Sequence, residues 1–163
     1  MCRLENLQSL NLANAGNRDC KFLKILPANI GELRDLQSLT LSSMLPNDDF
    51  LDDSLKQLPQ SMSKLRSLLT LILKCLTKLK KLPPLPDSIT NLDLEFCSGL
   101  DTLAETLAPL KKLKKLNVGN CGDVKSLPDV LGGLKELVEL VNKRRLLSAP
   151  ISSFILKAYV SIH

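Results

Sequence analysis

The chain has almost no aromatic side chains: no Trp, one Tyr and four Phe among 163 residues. With 44% hydrophobic residues and so few rings, the interior has to be filled by aliphatic side chains, chiefly Leu, as a stack of thin layers requires. It has a single His, His163, at the last position, so neither a Ser-His-Asp nor a Cys-His constellation can be assembled. No phosphate-cradling G-x-x-x-x-G-K-[ST] or G-x-G-x-x-G is present, and Gly132-Gly133 lacks the strand-to-helix setting such a loop needs. The five cysteines (Cys2, Cys20, Cys75, Cys97, Cys121) contain no C-x-x-C pair, which removes zinc spacing. The expectation is a protein that is not an enzyme and has no cofactor, no metal and no small-molecule substrate.

Two further absences concern location. No apolar run reaches the length of a membrane-spanning helix, the closest stretch being broken by Pro150 and Lys157. The chain does not open with a charged segment followed by an apolar one, so no secretory signal is read and an odd number of cysteines points to reduced thiols. The cytoplasm is the expected compartment, with the nucleus as the alternative.

The net charge of +5 suggests nucleic acid until it is placed along the chain. After Glu139 come Lys143, Arg144, Arg145 and Lys157 with no carboxylate, so the end of the chain holds four of those charges and the remainder is close to neutral. The runs KLKK (Lys78, Lys80, Lys81) and KKLKK (Lys111, Lys112, Lys114, Lys115) alternate with leucines and read as solvated faces. No aromatics interleave with them, and nucleic acid is not an expected partner.

What the chain has is a period. Leu92, Leu94, Cys97, Leu100 and Leu103 are followed 24 residues later by Leu116, Val118, Cys121, Val124 and Leu127. A spacing of this length with L-x-L-x-x-C-x-x-L reads as a leucine-rich repeat, each coil supplying one short strand that stacks on its neighbours. A second ruler confirms the phase. Offsets of 4, 7, 10 and 13 lead from Leu26 to Ile30, Leu33, Leu36 and Leu39, and recur from Leu58, Leu103 and Leu127. Each such span is expected to cross the convex side as a helical or 3₁₀ turn and to return the chain to the next parallel strand. The fold expected is an α/β leucine-rich-repeat solenoid, a horseshoe with parallel strands on its concave face and about five to six coils. Residues 1–141 are expected to form the repeat domain, and 142–163 a basic and apolar tail without repeat phase, which reads as an amphipathic cap over the last coil, then as an unrelated terminus of a shortened product or a weak interfacial segment.

The irregularities stand out against this ruler. Only three residues precede Leu4, which is expected to leave the first coil without a polar cap and favours an excised segment. Five extra residues fall around Asn17, Arg18, Asp19 and Cys20, and about eight around Asp48, Asp49, Asp52 and Asp53. The acidic insertion has no turn Gly, so a calcium loop is not expected; it reads as a solvated or partner-contacting loop. The third coil is only 21 residues from Leu71 to Leu92, and Pro83, Pro84 and Pro86 predict an extended return in place of a helix. In that coil Leu76 takes the Cys position and Cys75 is its off-phase neighbour.

Cys97 and Cys121 should lie one above the other, about 5 Å apart at the spacing of adjacent strands. A disulfide is geometrically open to them. The repeat pattern favours instead two buried thiols packed beneath the strands, a structural ladder.

Residues alternating with the buried leucines face outward on the concave sheet. By phase these include Ser38, Thr40, Thr70, Lys74, Asn91, Asp93, Glu95, Lys115, Asn117 and Gly119. Asp93 and Glu95 are expected diagonal to Lys115, an arrangement suited to a polar protein surface. All of these but Gly119 are the expected partner-binding positions.

The units LPANIGELRDLQSLTL, LPPLPDSITNLDLEFCSGLDTL and LAPLKKLKKLNVGNCGDVKSLP resemble the leucine-rich-repeat region of plant intracellular nucleotide-binding (NB-ARC type) disease resistance proteins, whose repeats read L-x-x-L-x-L-x-x-C-x-x-L-x-x-L-P. The resemblance covers about residues 4 to 141. It implies a non-catalytic module of a defence receptor that senses a ligand or effector, or holds another domain of the parent receptor inactive. LPPLPDSITNL is also similar to the short repeats of bacterial effector ubiquitin ligases, which implies a substrate-recognition arm as an alternative; a truncated product without a role of its own is the third.

Overall fold

The computed structural model describes residues 6–13, 25–42, 55–121, 127–142 and 159–160. The cap position before Leu4, the insertions at 17–20 and 48–53, the basic run 143–145, and Cys2, Val124 and His163 lie outside the described residues.

Alternating leucines make the strands. In Ser9–Ala13 (β1), Ser38–Ser42 (β2) and Thr70–Lys74 (β3) every second residue is Leu, and Leu39, Leu41, Leu71 and Leu73 are at most 1% exposed. Asn91–Asp93 (β4), Lys115–Asn117 (β5) and Glu139–Val141 (β6) are three-residue versions of the same strand. Neighbours pair in parallel in chain order, and the register lines up Leu10, Leu39, Leu71, Leu92, Leu116 and Leu140 in one row. A parallel pair needs a crossover of a dozen residues or more. One coil supplies one crossover.

The return spans follow from the three-residue steps of the ruler. The N–H of Leu33 donates to the Ile30 carbonyl and that of Leu36 to Leu33, each at 3.1 Å; Leu65, Leu68, Leu110, Leu113, Leu134 and Leu137 repeat the bond in later coils. Bonds of this i to i+3 kind make three residues per turn, which sets every third side chain on one side of the span. Apolar residues at that spacing are therefore carried inward together: Met62, Leu65 and Leu68 are fully buried. Short 3₁₀ turns occupy Ala28–Glu32 and Gln60–Lys64, each preceded by a Pro whose ring fixes φ, and short helices occupy Leu103–Leu107 (α1) and Leu127–Leu131 (α2). Between Leu82 and Thr90 there is no helix, in keeping with the three prolines there.

A two-residue strand, Tyr159–Val160 (β7), pairs in parallel with β6 through Glu139↔Tyr159 and Leu140↔Val160. The sequence placed no strand in this unphased stretch. Among the described residues the sheet thus has seven strands in the order of the chain. At its other side β1 is the edge strand, and Leu10 and Leu12 are only partly buried. No buried polar or charged residue occurs among the described residues, and no described helix is long and apolar enough to cross a membrane.

Adjacent return spans touch through Gly31. A Cβ at this position would collide with the carbonyl oxygen of Ser61 and lie 2.8 Å from its Cβ. Gly31→Ala is therefore expected to push the Ala28–Glu32 and Gln60–Lys64 turns apart and to lower stability by about 1–3 kcal/mol, as overpacking does. Gly132→Ala, with nothing within 4 Å of the added carbon, is the control. Equal melting temperatures for the two variants would refute the close approach.

Candidate functional site

The sheet face turned away from the leucines carries the residues the alternation assigns to it. One row runs Ser9, Ser38, Thr70, Asn91, Lys115, Glu139, and the next Asn11, Thr40, Ile72, Asp93, Asn117, Val141. Ser38, Thr40, Thr70, Lys74, Asn91, Asp93, Glu95 and Asn117 are half-buried and Lys115 is exposed, so each reaches solvent from a strand or its end. Gly119 departs from the phase: it is buried at the turn that follows β5.

The charges on this face pair differently from the expectation. Lys115 does not meet Asp93 and Glu95; its ammonium lies 2.8 Å from Glu139, on the following strand. Both carboxylates converge instead on Lys74, at 3.0 Å from Asp93 and 3.2 Å from Glu95. Register explains the exchange. Lys115 sits at the start of its strand between Asn91 and Glu139, whereas the ladder continues past β3 with the Cys75 N–H donating to the Glu95 carbonyl, which sets Lys74 beside Glu95. Side-chain hydrogen bonding to Asp93 holds the Lys74 ammonium above the usual lysine range, against the opposing effect of its partial burial. Asp93 and Glu95 are only 22% and 14% exposed, so this triad is screened less than a surface pair.

Two of these side chains also have a structural task. Asp93 Oδ1 accepts the N–H of Glu95 and Asn117 Oδ1 accepts that of Gly119, each at 3.0 Å, and Asn11 closes the same loop with Ala13. A short amide or carboxylate bonding its own backbone two residues on turns the chain out of the strand. After two of these turns the next residue takes up the bend, Phe96 with φ of 61° and Asn120 with 56°, and Cys75, which follows β3 without such a turn, has 58°; this left-handed conformation is one that non-glycine residues seldom adopt. This explains the off-phase Cys75. It is the bend residue of the compressed coil, and Leu76, 3% exposed, fills the core position behind it.

In the two coils that follow, that position holds a thiol. Cys97 Sγ donates to the Leu73 carbonyl at 3.1 Å and Cys121 Sγ to the Leu94 carbonyl at 3.0 Å; both are fully buried. Each thiol thus ties its coil to the strand before it. Cys75, Cys97 and Cys121 are free thiols, so of the two arrangements open from the spacing the buried ladder is the one adopted. Burial pushes the Cys97 thiol up to about 12, the bond from the Leu76 backbone opposing it, and burial also raises Cys75. Among the described residues no three His, Cys, Asp or Glu side chains gather as metal ligands would.

A sheet of parallel strands in chain order, one strand per coil, with a leucine row inside and a polar row outside, defines a leucine-rich-repeat solenoid. The chain is homologous to plant disease resistance proteins. It is 41% identical over 91 residues to the disease resistance-like protein DSC1 of Arabidopsis thaliana, a match covering 56% of this chain and 7% of that protein. To the disease resistance protein RPS4B of the same plant it is 30% identical over 156 residues, 73% of this chain and 13% of that protein. The disease resistance protein RPS4 matches at 30% over 138 residues, 64% of this chain and 11% of that protein. The chain therefore spans between 7% and 13% of the length of these relatives. No family model matches it. Among solved structures, an internalin (inlF) from Listeria monocytogenes aligns with a TM-score of 0.44 at 19% identity, over 89% of this chain and 44% of that one.

Proposed function

We propose that this chain is a non-catalytic protein-interaction module acting in plant defence, and that it does so in the cytoplasm as part of a ligand-sensing or autoinhibitory surface. The observation that carries the reading is the outer face of the sheet, where Lys74 with Asp93 and Glu95, and Lys115 with Glu139, sit part-exposed on adjacent strands. Strands hold such side chains in fixed relative positions, so a partner meets preorganised charge and loses less in ordering it. Ser38, Thr40, Thr70, Asn91 and Asn117 extend this surface with hydroxyls and amides. The relatives' names supply the defence context. Residues 1–141 would form the repeat unit, with 142–163 as its C-terminal extension.

The test is quantitative capture from leaf extract by the wild-type chain and by the Asp93→Lys/Glu95→Lys variant. The two reversals leave Lys74 among like charges and convert an acidic patch to a basic one. Proteins that bind this face are expected to be retained about tenfold less, which corresponds to about 1.4 kcal/mol. A circular dichroism spectrum like that of the wild type shows that the solenoid is intact. Unchanged capture of every wild-type partner overturns the reading.

A further inference from the structure

The strand β7 brings the chain back to the sheet after the leucine pattern has stopped. Its register with β6, Glu139↔Tyr159 and Leu140↔Val160, gives Val160 the place in the row that Leu92, Leu116 and Leu140 hold in the strands before it. The interval from Leu140 to Val160 is 20 residues. That is one fewer than the 21 from Leu71 to Leu92 in the compressed coil, and more than the dozen or so that a parallel crossover needs.

With Val160 fixing the phase, the ruler can be laid back from it. Offsets of 4, 7, 10 and 13 that end at Val160 begin at Leu147 and pass Ile151, Phe154 and Lys157, so that Lys157 alone breaks the apolar series. Val160-Ser161-Ile162 then repeats the alternation of Leu92-Asp93-Leu94 and Leu116-Asn117-Val118. The shortening has a definite place: Leu140 to Leu147 is 7 residues, where Leu92 to Leu103 and Leu116 to Leu127 are 11. Leu147, Ile151, Phe154 and Ile162 lie outside the described residues, and their spacing is a property of the sequence.

Burial points the same way. By the leucine pattern β6 is the last strand of the sheet, yet Leu140 is 4% exposed and Leu134 3%, whereas Leu10 and Leu12 on the edge strand β1 are only partly buried. An apolar layer at the end of a stack is sealed in this way only when something is laid over it.

We propose that residues 147–162 are a further, shortened repeat coil, with β7 as its strand, and that it closes the apolar layer beneath β6. Leu147, Ile151 and Phe154 then serve β7 as Leu103, Leu107 and Leu110 serve β5. The sheet face proposed to meet a protein partner becomes one strand wider beside Lys115 and Glu139. That consequence rests on the interaction reading, and the coil does not.

Hydrogen exchange of the full chain tests it at the Val138 and Glu139 amides, which both donate to the Lys114 carbonyl where β6 joins the sheet. Phe154→Asp, on the ruler, is expected to speed their exchange about tenfold or more. Ile155→Asp puts the same charge one residue further on, where the earlier coils carry the exposed Arg34, Arg66, Lys111 and Lys135, and should leave the rate near that of the wild type. Val160→Asp should act as Phe154→Asp does. The Leu69 and Thr70 amides, which donate to the Gln37 carbonyl far along the stack, should keep their rates in every variant, since a coil supports its neighbours. Should Phe154→Asp unfold the whole chain, Phe154→Ala and Ile155→Ala make the same comparison by melting temperature, with a fall expected for Phe154→Ala alone. Equal effects at positions 154 and 155, or amides of β6 indifferent to Val160→Asp, overturn the proposal.

Discussion

Truncation of Leu94 to Ala is expected to lower the stability of the solenoid by about 2–5 kcal/mol, the cost of lost burial plus the cavity left behind. Leu94 is fully buried midway along the stack. Its neighbourhood cannot collapse freely, because its backbone is held on three sides: its N–H donates to Asn117, and its carbonyl accepts both the Cys97 N–H and the Cys121 thiol, all at 2.8–3.0 Å. The change should lower the melting temperature by about 5–20 °C. Leu94→Asp should go further and abolish the cooperative transition, since a carboxylate there would be buried without a partner. In a stack where each coil is stabilised by its neighbours, position matters as much as chemistry. Leu10→Ala, on the edge strand where the leucine is already partly exposed, is therefore expected to cost markedly less. Thermal unfolding followed by circular dichroism decides the matter. A Leu94→Ala change within about 0.5 kcal/mol of the wild type would show that the core is not packed as described.

The inward side of this architecture was legible in the sequence because a leucine at a repeat position has one task. Leu39, Leu71, Leu92, Leu116 and Leu140 were in phase, and they form one row. The ruler of three-residue steps was equally readable, since the hydrogen bonds that produce it have the same period. Even the displaced cysteine resolved correctly: the phase placed Leu76 inside, and the left-handed bend at Cys75 supplies the reason.

The outward side was legible only as a set of positions. Which charges pair depends on how far along its strand each side chain stands, and a repeat period says nothing about a reach of one residue. Lys115 was expected near Asp93 and Glu95, yet two residues of offset give it to Glu139 and leave both carboxylates to Lys74. The double use of Asp93 and Asn117 was missed for a related reason. An Asp or Asn two residues before a bend is a signal of a local turn, and at Asp93 to Glu95, Asn117 to Gly119 and Asn11 to Ala13 that signal was present three times.

The second large effect concerns the thiol of Cys97, which is expected to be inert to alkylation in the native protein at pH 8 and to make the fold sensitive to alkali. Both follow from one cause. The protonated thiol donates to the Leu73 carbonyl at 3.1 Å in a site without solvent, and burial pushes its pKa up from 9.0 to about 12. Ionisation there would place an anion against a carbonyl oxygen. Between pH 9 and 12 the folded chain keeps a proton that the unfolded chain has released, so stability falls as pH rises. The contribution is fully present below pH 9 and is lost through this window at about 1.4 kcal/mol per pH unit. Lysines and other thiols also titrate in this range, Lys74 and Cys75 among those shifted upward. The readout is therefore the difference between the wild type and Cys97→Ala in urea denaturation at each pH. That difference should favour the wild type near neutrality, shrink above pH 9 and shift by about 2.5 kcal/mol by pH 11. In parallel, Cys97 in the native chain should be alkylated only as fast as the stack opens, because the thiolate is the reactive form and is suppressed while buried. A pH-independent difference, together with alkylation of Cys97 at the rate of a free cysteine, would mean that the thiol is not sealed beneath the sheet.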